Sequence, residues 1–392
     1  MANRQTNRGA KPQVTTGGFV PATTASARTA ARRTSARPSA SARADRAISP
    51  AEETKSQKTR RVLRAVLLTL LFLIIGGLLA LALYVMNFAT QLGKEFGLAN
   101  SELSQEEQME ITEILQPNED ILQPFYMMLL GSDRRSWNPN DSGRSDTAII
   151  VRVDPQTYTV SMISIPRDTR VYIPGYWTTK FNAAYAYGGA SLAIKTASQM
   201  TGISLQHFAE VNFQALIDLV DAIGGIDIYV PADVDDVKAG DTFIPKGWNH
   251  IDGEQALMLA RTRDWIGSDF TRQAFQRQIV KAVIKRVLEL PPTELTGVIK
   301  QAAGSILTDM NIGDLFQLAL HFKDAEDITF YSANLPSRTQ TIDGVSYVVL
   351  VDEDVPKMLA KFKAGEDPTD FAASGWEYTG SQVYMGEENP PE

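Results

Sequence analysis

The chain has no cysteine and only three histidines, His207, His250 and His321, in 392 residues. The first absence removes disulfides, thiolate nucleophiles and cysteine-type zinc sites together. The second leaves too few imidazoles for a histidine-rich metal centre. Four motifs are missing as well: there is no GxxxxGK-S/T phosphate loop, no GxGxxG, no HExxH and no GxSxG elbow. Nucleotide hydrolysis on a P-loop, dinucleotide use, zinc proteolysis and serine hydrolysis therefore lack their usual signatures.

Positive charge is scarce outside one segment. Residues 1–64 hold 14 Lys and Arg against Asp45, Glu52 and Glu53, which leaves 24 basic and 43 acidic residues for the rest, a balance of −19. A domain that acidic is not a general nucleic-acid binder, because phosphate contacts need clustered positive charge. The basic segment is rich in Ala, Arg, Ser, Thr, Pro and Gly and poor in apolar residues, so it cannot offset its ordering entropy. Its arginines suit a nucleic-acid arm or a solvated tail; 1–64 is predicted to be a disordered basic cytoplasmic tail.

One long apolar run is present. Ala65–Met86 is 22 uncharged residues, "AVLLTLLFLIIGGLLALALYVM", which as a helix rises about 33 Å and matches a hydrocarbon core of roughly 30 Å. It is too long and too far from the N-terminus for a cleavable signal peptide. Lys55, Lys58, Arg60, Arg61 and Arg64 precede it, whereas Lys94 and Glu95 are the nearby charges that follow. The positive-inside rule then predicts a single-pass protein of the cell membrane with its N-terminus in the cytoplasm and everything after Met86 outside.

Residues 87–123 read as an acidic helical stalk, and 124–365 as one α/β domain with a mixed central sheet flanked by helices. "PFYMMLLG" is a buried strand, and "DTAIIVRVDP" with "TYTVSMISIP" a hairpin around Pro155-Gln156. Helical patterns follow, among them "FQALIDLVDAIGG", stopped by its double glycine, and the amphipathic "DFTRQAFQRQIVKAVIKRVLEL", ended by Pro291-Pro292. Two more helices are expected at 293–308 and 312–323, then strands "ITFYSA" and "VSYVVLV", and a last helix over 355–363. The acidic tail 366–392 is expected to be disordered.

The residues that could carry chemistry are Asp and Arg at strand ends. "LLGSDRR" presents Asp133 as a strand ends, and "GRSDTAIIV" presents Arg144 and Asp146 as the next begins. Two carboxylates reaching one space suit magnesium, which takes one or two carboxylates plus phosphate oxygens and water. Equally, Asp133 can stabilise a turn and Asp146 cap a strand. "SIPRDTR" places Arg167 and Asp168 after a buried strand, as a site or as a surface pair, and Lys180 is open to the same two readings. In "ARTRD", Arg261 and Arg263 share a face if the chain is extended and diverge by about 200° if it is helical. Arg272 and Gln276 lie one turn apart on one helix face. Converging arginines would neutralise a pyrophosphate; the alternative is an ion-pair network with acids such as Asp264 and Asp269.

Taken in order, "LLGSDRR", "RSDTAIIVRVDP", "MISIPRDTRVYIPG", "KFNAAYAYGGA", "AEVNFQALIDLVDAIGGIDIYVP", "HIDGEQALMLARTRD" and "DFTRQAFQRQ" resemble the LytR-CpsA-Psr family of cell-envelope enzymes, over roughly residues 123–290. The resemblance implies an extracytoplasmic phosphotransferase. It would move a glycopolymer from an undecaprenyl-pyrophosphate carrier to peptidoglycan by a magnesium-dependent phosphodiester bond. It implies Asp133 and Asp146 as metal carboxylates, with Arg144 and Arg167 beside them in catalysis. The pyrophosphate grip would be Arg144, Arg167, Lys180, Arg261, Arg263, Arg272 and Gln276. Partners would be a polyprenyl-pyrophosphate-linked glycan donor, a peptidoglycan acceptor and membrane lipid, with the prenyl tail in an apolar pocket between sheet and helices. Two positions depart from the pattern: Ser132 replaces Thr, and Phe275 stands where a further base is usual. A non-catalytic polyprenyl-phosphate or wall-glycan binding regulator, and a lipid-pyrophosphate hydrolase, are the other readings. If Arg261 and Arg263 serve one site, the chain must leave the helix before Arg263.

Overall fold

The computed structural model describes residues 103–133, 143–263, 269–302 and 306–370, together with a few helical positions between Thr69 and Ala80. It divides into a unit up to Leu70 and a unit from Leu71 onward, and the strands and helices named here all belong to the second. The basic tail 1–64, most of the apolar run 65–86, residues 87–102 and the tail from 371 lie outside the described residues. Among the described residues no helix is long and apolar enough to cross a membrane.

In chain order the strands are β1 (Phe125–Ser132), β2 (Ser145–Asp154), β3 (Thr159–Ser164), β4 (Arg170–Tyr172), β5 (Thr178–Lys180), β6 (His207–Asn212), β7 (Ile226–Val230), β8 (Gly247–Ile251), β9 (Ile306–Thr308), β10 (Thr329–Asn334), β11 (Ser337–Ile342) and β12 (Val345–Leu350). The helices are α1 (Gln105–Ile114), α2 (Asn182–Thr201), α3 (Phe213–Ala222), α4 (Gly253–Arg261), α5 (Asp269–Glu289), α6 (Pro292–Ala302), α7 (Ile312–Lys323) and α8 (Val355–Ala364). Six strands form a mixed sheet in the order β10-β3-β2-β1-β6-β9. Within it β1 and β6 run parallel, as do β3 and β10, and the other pairs are antiparallel. Three two-stranded ribbons, β4-β5, β7-β8 and β11-β12, stand beside it.

The expected hairpin is β2-β3, and its turn is built by Asp154, whose Oδ1 accepts the N–H groups of Gln156 (3.0 Å) and Thr157 (3.2 Å). The period of two along β2 then sorts side chains to two covered faces. Ala148 and Ile150 join Met128 and Leu130 against α2 and α8, in a cluster with Ile194, Met358 and Phe362. Ile149 and Val151 face the other way, with Met162, towards α5 and α7. Both faces being apolar and covered explains why β1 and β2 read as nearly continuous apolar runs.

Residues 103–123, expected as part of a stalk, pack into the domain instead. Ser104 and Glu107 form a reciprocal capping box at the start of α1, and Leu103, Ile111 and Leu115 enter the same core cluster as Ile194 and Phe208. The helix expected over 293–308 ends at Ala302, and Ile306–Thr308 pairs antiparallel with β6 as the edge strand β9. β-branched Ile306 and Thr308 favour that outcome. The other expected elements, including the strand over Ile226–Val230 and the last helix, form where the pattern places them.

A close helix crossing fixes α4. A Cβ built on Gly253, the first residue of α4, would stand 2.5 Å from the Ile217 carbonyl oxygen on α3. Gly253→Ala is expected to force the two backbones apart and destabilise the chain by about 1–3 kcal/mol, measurable as a lowered thermal midpoint.

Candidate active site

Between the sheet and α3, α5, α6 and α7 lies a cavity of about 920 Å³. Met127 and Leu129 of β1, Ile149 of β2 and Val211 of β6 line one wall, and Leu216, Val280, Val283 and Val287 line the other. One face of α5 shows how the sequence builds it. Arg272, Gln276, Val280, Val283 and Val287 recur at spacings of three and four, so all point into the cavity. The face is polar at the helix start and apolar beyond, giving a greasy chamber with a charged mouth.

The ends of β1 and β2 form that mouth. The β1-β2 register shifts between Gly131 and Ser132, a bulge that turns the chain and aims the residue after it. Asp133 follows. Its N–H donates to the Arg144 carbonyl (3.0 Å), and its carboxylate accepts the Arg144 N–H. Asp133 and Asp146 both line the cavity. Arg167 donates from Nη1 to Asp146 Oδ1 at 2.8 Å, while its Nε lies 3.4 Å from Asp269 and 3.5 Å from Asp168. The second oxygen of Asp146 has Arg263 Nη2 and Arg272 Nη1 each 4.0 Å away. One carboxylate thus gathers three guanidinium groups.

Arg272 is buried at 2% exposure, with Nη2 donating to Asp269 Oδ1 at 2.6 Å. Its pKa is lowered by burial and by Arg263 and Arg167, against which Asp269 and Asp146 hold it up. Arg167 is raised: burial alone would lower it, but Asp146, Asp269 and Asp168 prevail. Arg272 Nε and Gln276 Oε1 are buried and, among the described residues, have no hydrogen-bond partner. Buried polar atoms left open at a cavity are places for a ligand to bond.

The chain does leave the helix before Arg263. Helix α4 ends at Arg261, and Thr262 is extended, at φ −60° and ψ 141°. Arg261 and Arg263 therefore both line the cavity. Arg261 donates from Nη1 to the Ala239 carbonyl (2.9 Å) and lies 5.1 Å over the Phe213 ring. Gln276 Nε2 holds the Ala260 carbonyl at 3.0 Å, tying α5 to the end of α4.

Three expected residues stand further out. Arg144 is exposed, and neither it, Arg167 nor Lys180 lines the cavity. Lys180 reaches the site through a relay, its Nζ 2.8 Å from Asp168, which is itself beside Arg167. The ion-pair network expected with Asp269 is present; Asp264 lies outside the described residues. Phe275 is fully buried among Ile226, Ile251 and Ile279 and takes no part in the cavity.

Asp236 is the site residue that sequence reasoning missed. It is 4% exposed and accepts from Thr262 Oγ1 (2.9 Å) and from the Arg263 N–H (3.2 Å), pinning the extended backbone that presents Arg263. Burial would raise its pKa, but those bonds and the N–H groups of Lys238 and Ala239 win and hold it below the usual carboxylate value. Nothing in the acidic stretch "ADVDDVK" distinguishes it from Asp233 or Asp235.

For a divalent cation, the donor set is two carboxylates at the mouth, Asp133 and Asp146. Among the described residues no group of three or more His, Cys, Asp or Glu is placed to hold a metal ion. Two carboxylates fit magnesium when phosphate oxygens and water complete the shell.

Residues 88–364 match the profile of the LytR_cpsA_psr family. The chain is 31% identical over 251 residues to the polyisoprenyl-teichoic acid–peptidoglycan teichoic acid transferase TagU of Halalkalibacterium halodurans, spanning 62% of this chain and 79% of that protein. The fold is similar to the crystal structure of B. subtilis TagV, with a TM-score of 0.56 and 28% identity, covering 63% of this chain and 98% of that one. It is also similar to the LytR-CPS2A-psr family protein YwtF (TagT) with bound octaprenyl pyrophosphate lipid, with a TM-score of 0.51 and 25% identity over 69% of this chain and 98% of that chain.

Proposed function

The chain belongs to the LytR-CpsA-Psr family, and from that premise we propose that it is a membrane-anchored phosphotransferase that moves a glycopolymer from an undecaprenyl-pyrophosphate carrier to peptidoglycan. One observation carries the reading: a single cavity joins apolar walls to a mouth where Arg261, Arg263 and Arg272 meet Asp133 and Asp146. A polyprenyl pyrophosphate has that same division, an apolar tail and a compact anion. The transferase name of the TagU relative and the lipid bound to TagT support it. The apolar run 65–86 would hold the domain outside the cytoplasmic membrane, beside its lipid donor.

In this reading the tail lies along Val280, Val283 and Val287, and the pyrophosphate meets the arginines. An acceptor hydroxyl oxygen bonds to the phosphorus that carries the glycan and gives up its proton, which departs with the leaving phosphate. The bond from that phosphorus to the bridging oxygen breaks, and polyprenyl monophosphate leaves. The residues supply position and charge: Arg263 and Arg272 stabilise negative charge at the phosphoryl oxygens, and the apolar walls exclude water, which would otherwise compete as acceptor. Asp133 and Asp146 would hold magnesium, which when bound neutralises charge on the transferring group. Arg167 positions Asp146, and Lys180 positions Asp168.

The test is incubation of the full chain with a lipid-linked pyrophosphate glycan, peptidoglycan oligomers and magnesium. Glycan joined to peptidoglycan by a phosphodiester is the expected product. Free phosphorylated glycan alone would identify a hydrolase instead, and binding without any product a regulator. Asp236→Ala is expected to release the Arg263 backbone and weaken binding of the lipid pyrophosphate by roughly tenfold, the value of a buried bond of 1–2 kcal/mol. Titration of the variant with farnesyl pyrophosphate measures this, and an unchanged affinity would remove Asp236 from the site.

A further inference from the structure

Four large aromatic side chains are exposed around one ribbon. Tyr172 is 58% exposed, Tyr176 40%, Trp177 59% and Tyr187 38%. Tyr172 ends β4, Tyr176 and Trp177 lie in the β4-β5 turn, and Tyr187 comes from α2. Three of the rings touch: Tyr176 stacks on Tyr187 at 4.8 Å, and Trp177 meets Tyr187 at 5.5 Å and Tyr176 at 5.9 Å. The fold does not need them there, because the aliphatic residue of the turn, Ile173, is fully buried beneath and closes the turn by bonds with Trp177 and Tyr176. Clustered exposed aromatics of this size mark a binding surface.

The ribbon is continuous with the mouth of the cavity. Arg170 pairs with Lys180 at its base, and Lys180 bonds Asp168 beside Arg167. From Lys180 to Trp177 is three residues of extended chain, about 10 Å, the reach of a short oligosaccharide.

We propose that Tyr172, Tyr176, Trp177 and Tyr187 form a glycan subsite that seats the sugar chain of the peptidoglycan acceptor. This rests on the reading of the mouth as the site of phosphoryl transfer. Flat ring faces suit the apolar C–H faces of pyranose rings, and phenol groups supply hydrogen bonds to sugar hydroxyls. Mutual packing braces the rings, and each Tyr or Trp has only two side-chain torsions to immobilise, so little entropy is lost on binding. Trp and Tyr are also enriched at membrane–water interfaces, but a lipid-seeking segment sets Leu or Phe beside them; here Ile173 is inside and Thr178 and Thr179 flank the rings.

The experiment is calorimetric titration of the full chain in detergent with muramidase-released peptidoglycan oligosaccharides, alongside farnesyl pyrophosphate and phosphatidylglycerol vesicles. Trp177→Ala and Tyr187→Ala are each expected to weaken the oligosaccharide about tenfold and to leave farnesyl pyrophosphate binding and the thermal midpoint unchanged. No measurable oligosaccharide binding by the wild type, or equal binding by wild type and variants, overturns the subsite. So does a fall in vesicle binding with oligosaccharide binding intact, which would assign the rings to the membrane. So does loss of both ligands with a lowered midpoint, which would make the rings structural. If oligosaccharide binding depends on the rings but no transfer occurs, the subsite stands and the transferase reading falls. If transfer occurs and binding does not depend on the rings, the transferase reading stands and the subsite falls.

Discussion

Asp146→Asn is expected to lower glycopolymer transfer by at least about 100-fold while leaving the affinity for a polyprenyl pyrophosphate equal or higher. Two roles of Asp146 pull in opposite directions. Its carboxylate accepts Arg167 at 2.8 Å and stands 4.0 Å from Arg263 and Arg272, so in the free protein it competes with an anion for those groups. Asparagine has nearly the same volume and still accepts from Arg167 but carries no charge, so the three guanidiniums become more attractive to pyrophosphate. The same change removes one of two carboxylates proposed to hold magnesium, and turnover falls. Arg272→Ala is expected to behave differently, losing both turnover and affinity, because the buried guanidinium links Asp269 to the site and its removal leaves Asp269 without its 2.6 Å partner. Turnover and farnesyl pyrophosphate affinity measured on the same preparations separate the two. An asparagine variant with more than a tenth of wild-type turnover would end the metal-carboxylate role for Asp146.

Much of this site is legible in the sequence because it depends on local rules. Arg272 and Gln276 share a face because four residues make about one helical turn. Asp133 and Asp146 both line the cavity because β1 and β2 are neighbours in the sheet. The exit of the chain from α4 before Arg263 follows from the requirement that two arginines at spacing two face one cavity, and Thr262 is extended as that requires. What the sequence does not show is long-range. Asp236 pins Arg263 from 27 residues away, in a loop whose path no periodicity encodes. Ile306–Thr308, β-branched at both ends, completes a strand where β6 offers it an edge. Lys180 and Arg167 share motifs with the others yet stop short of the cavity, since their side chains are taken by Asp168 and Asp146. Phe275 shows the converse: a departure that looks like a lost phosphate contact is a core residue on the side of α5 turned from the cavity.

Arg277, one residue past Gln276, carries the last expectation: Arg277→Ala should lower unfolding free energy by about 3–5 kcal/mol and the thermal midpoint by on the order of 10 °C. The residue is 2% exposed, and among the described residues no carboxylate pairs with it. It is held by neutral oxygens instead, those of Ser332 (2.7 Å), Ser164 (2.6 Å) and Asn334 (2.5 Å), which join α5 to β3 and β10. Alanine would take the donor from two buried oxygens and one half-buried one and leave a void. Arg277→Met keeps most of the volume and removes the cost of burying a charge, so it should lose less than alanine. Titration tells the two contributions apart. Burial pushes the Arg277 guanidinium down to about 9. Above that value the unfolded chain binds the proton that the folded chain releases, so wild-type stability rises with pH through 9, whereas Arg277→Met has no such group. Urea unfolding should therefore show a constant difference between wild type and Arg277→Met from pH 6 to 8 and a shift towards wild type by pH 10. Parallel curves across that range would show that the three acceptors keep the guanidinium charged, whereas an alanine variant within about 1 kcal/mol of wild type would show that the three bonds do not hold α5 to the sheet. The orientation of Arg272 and Gln276 over the cavity would then have to come from the other contacts of α5, among them the bond of Gln276 to the Ala260 carbonyl.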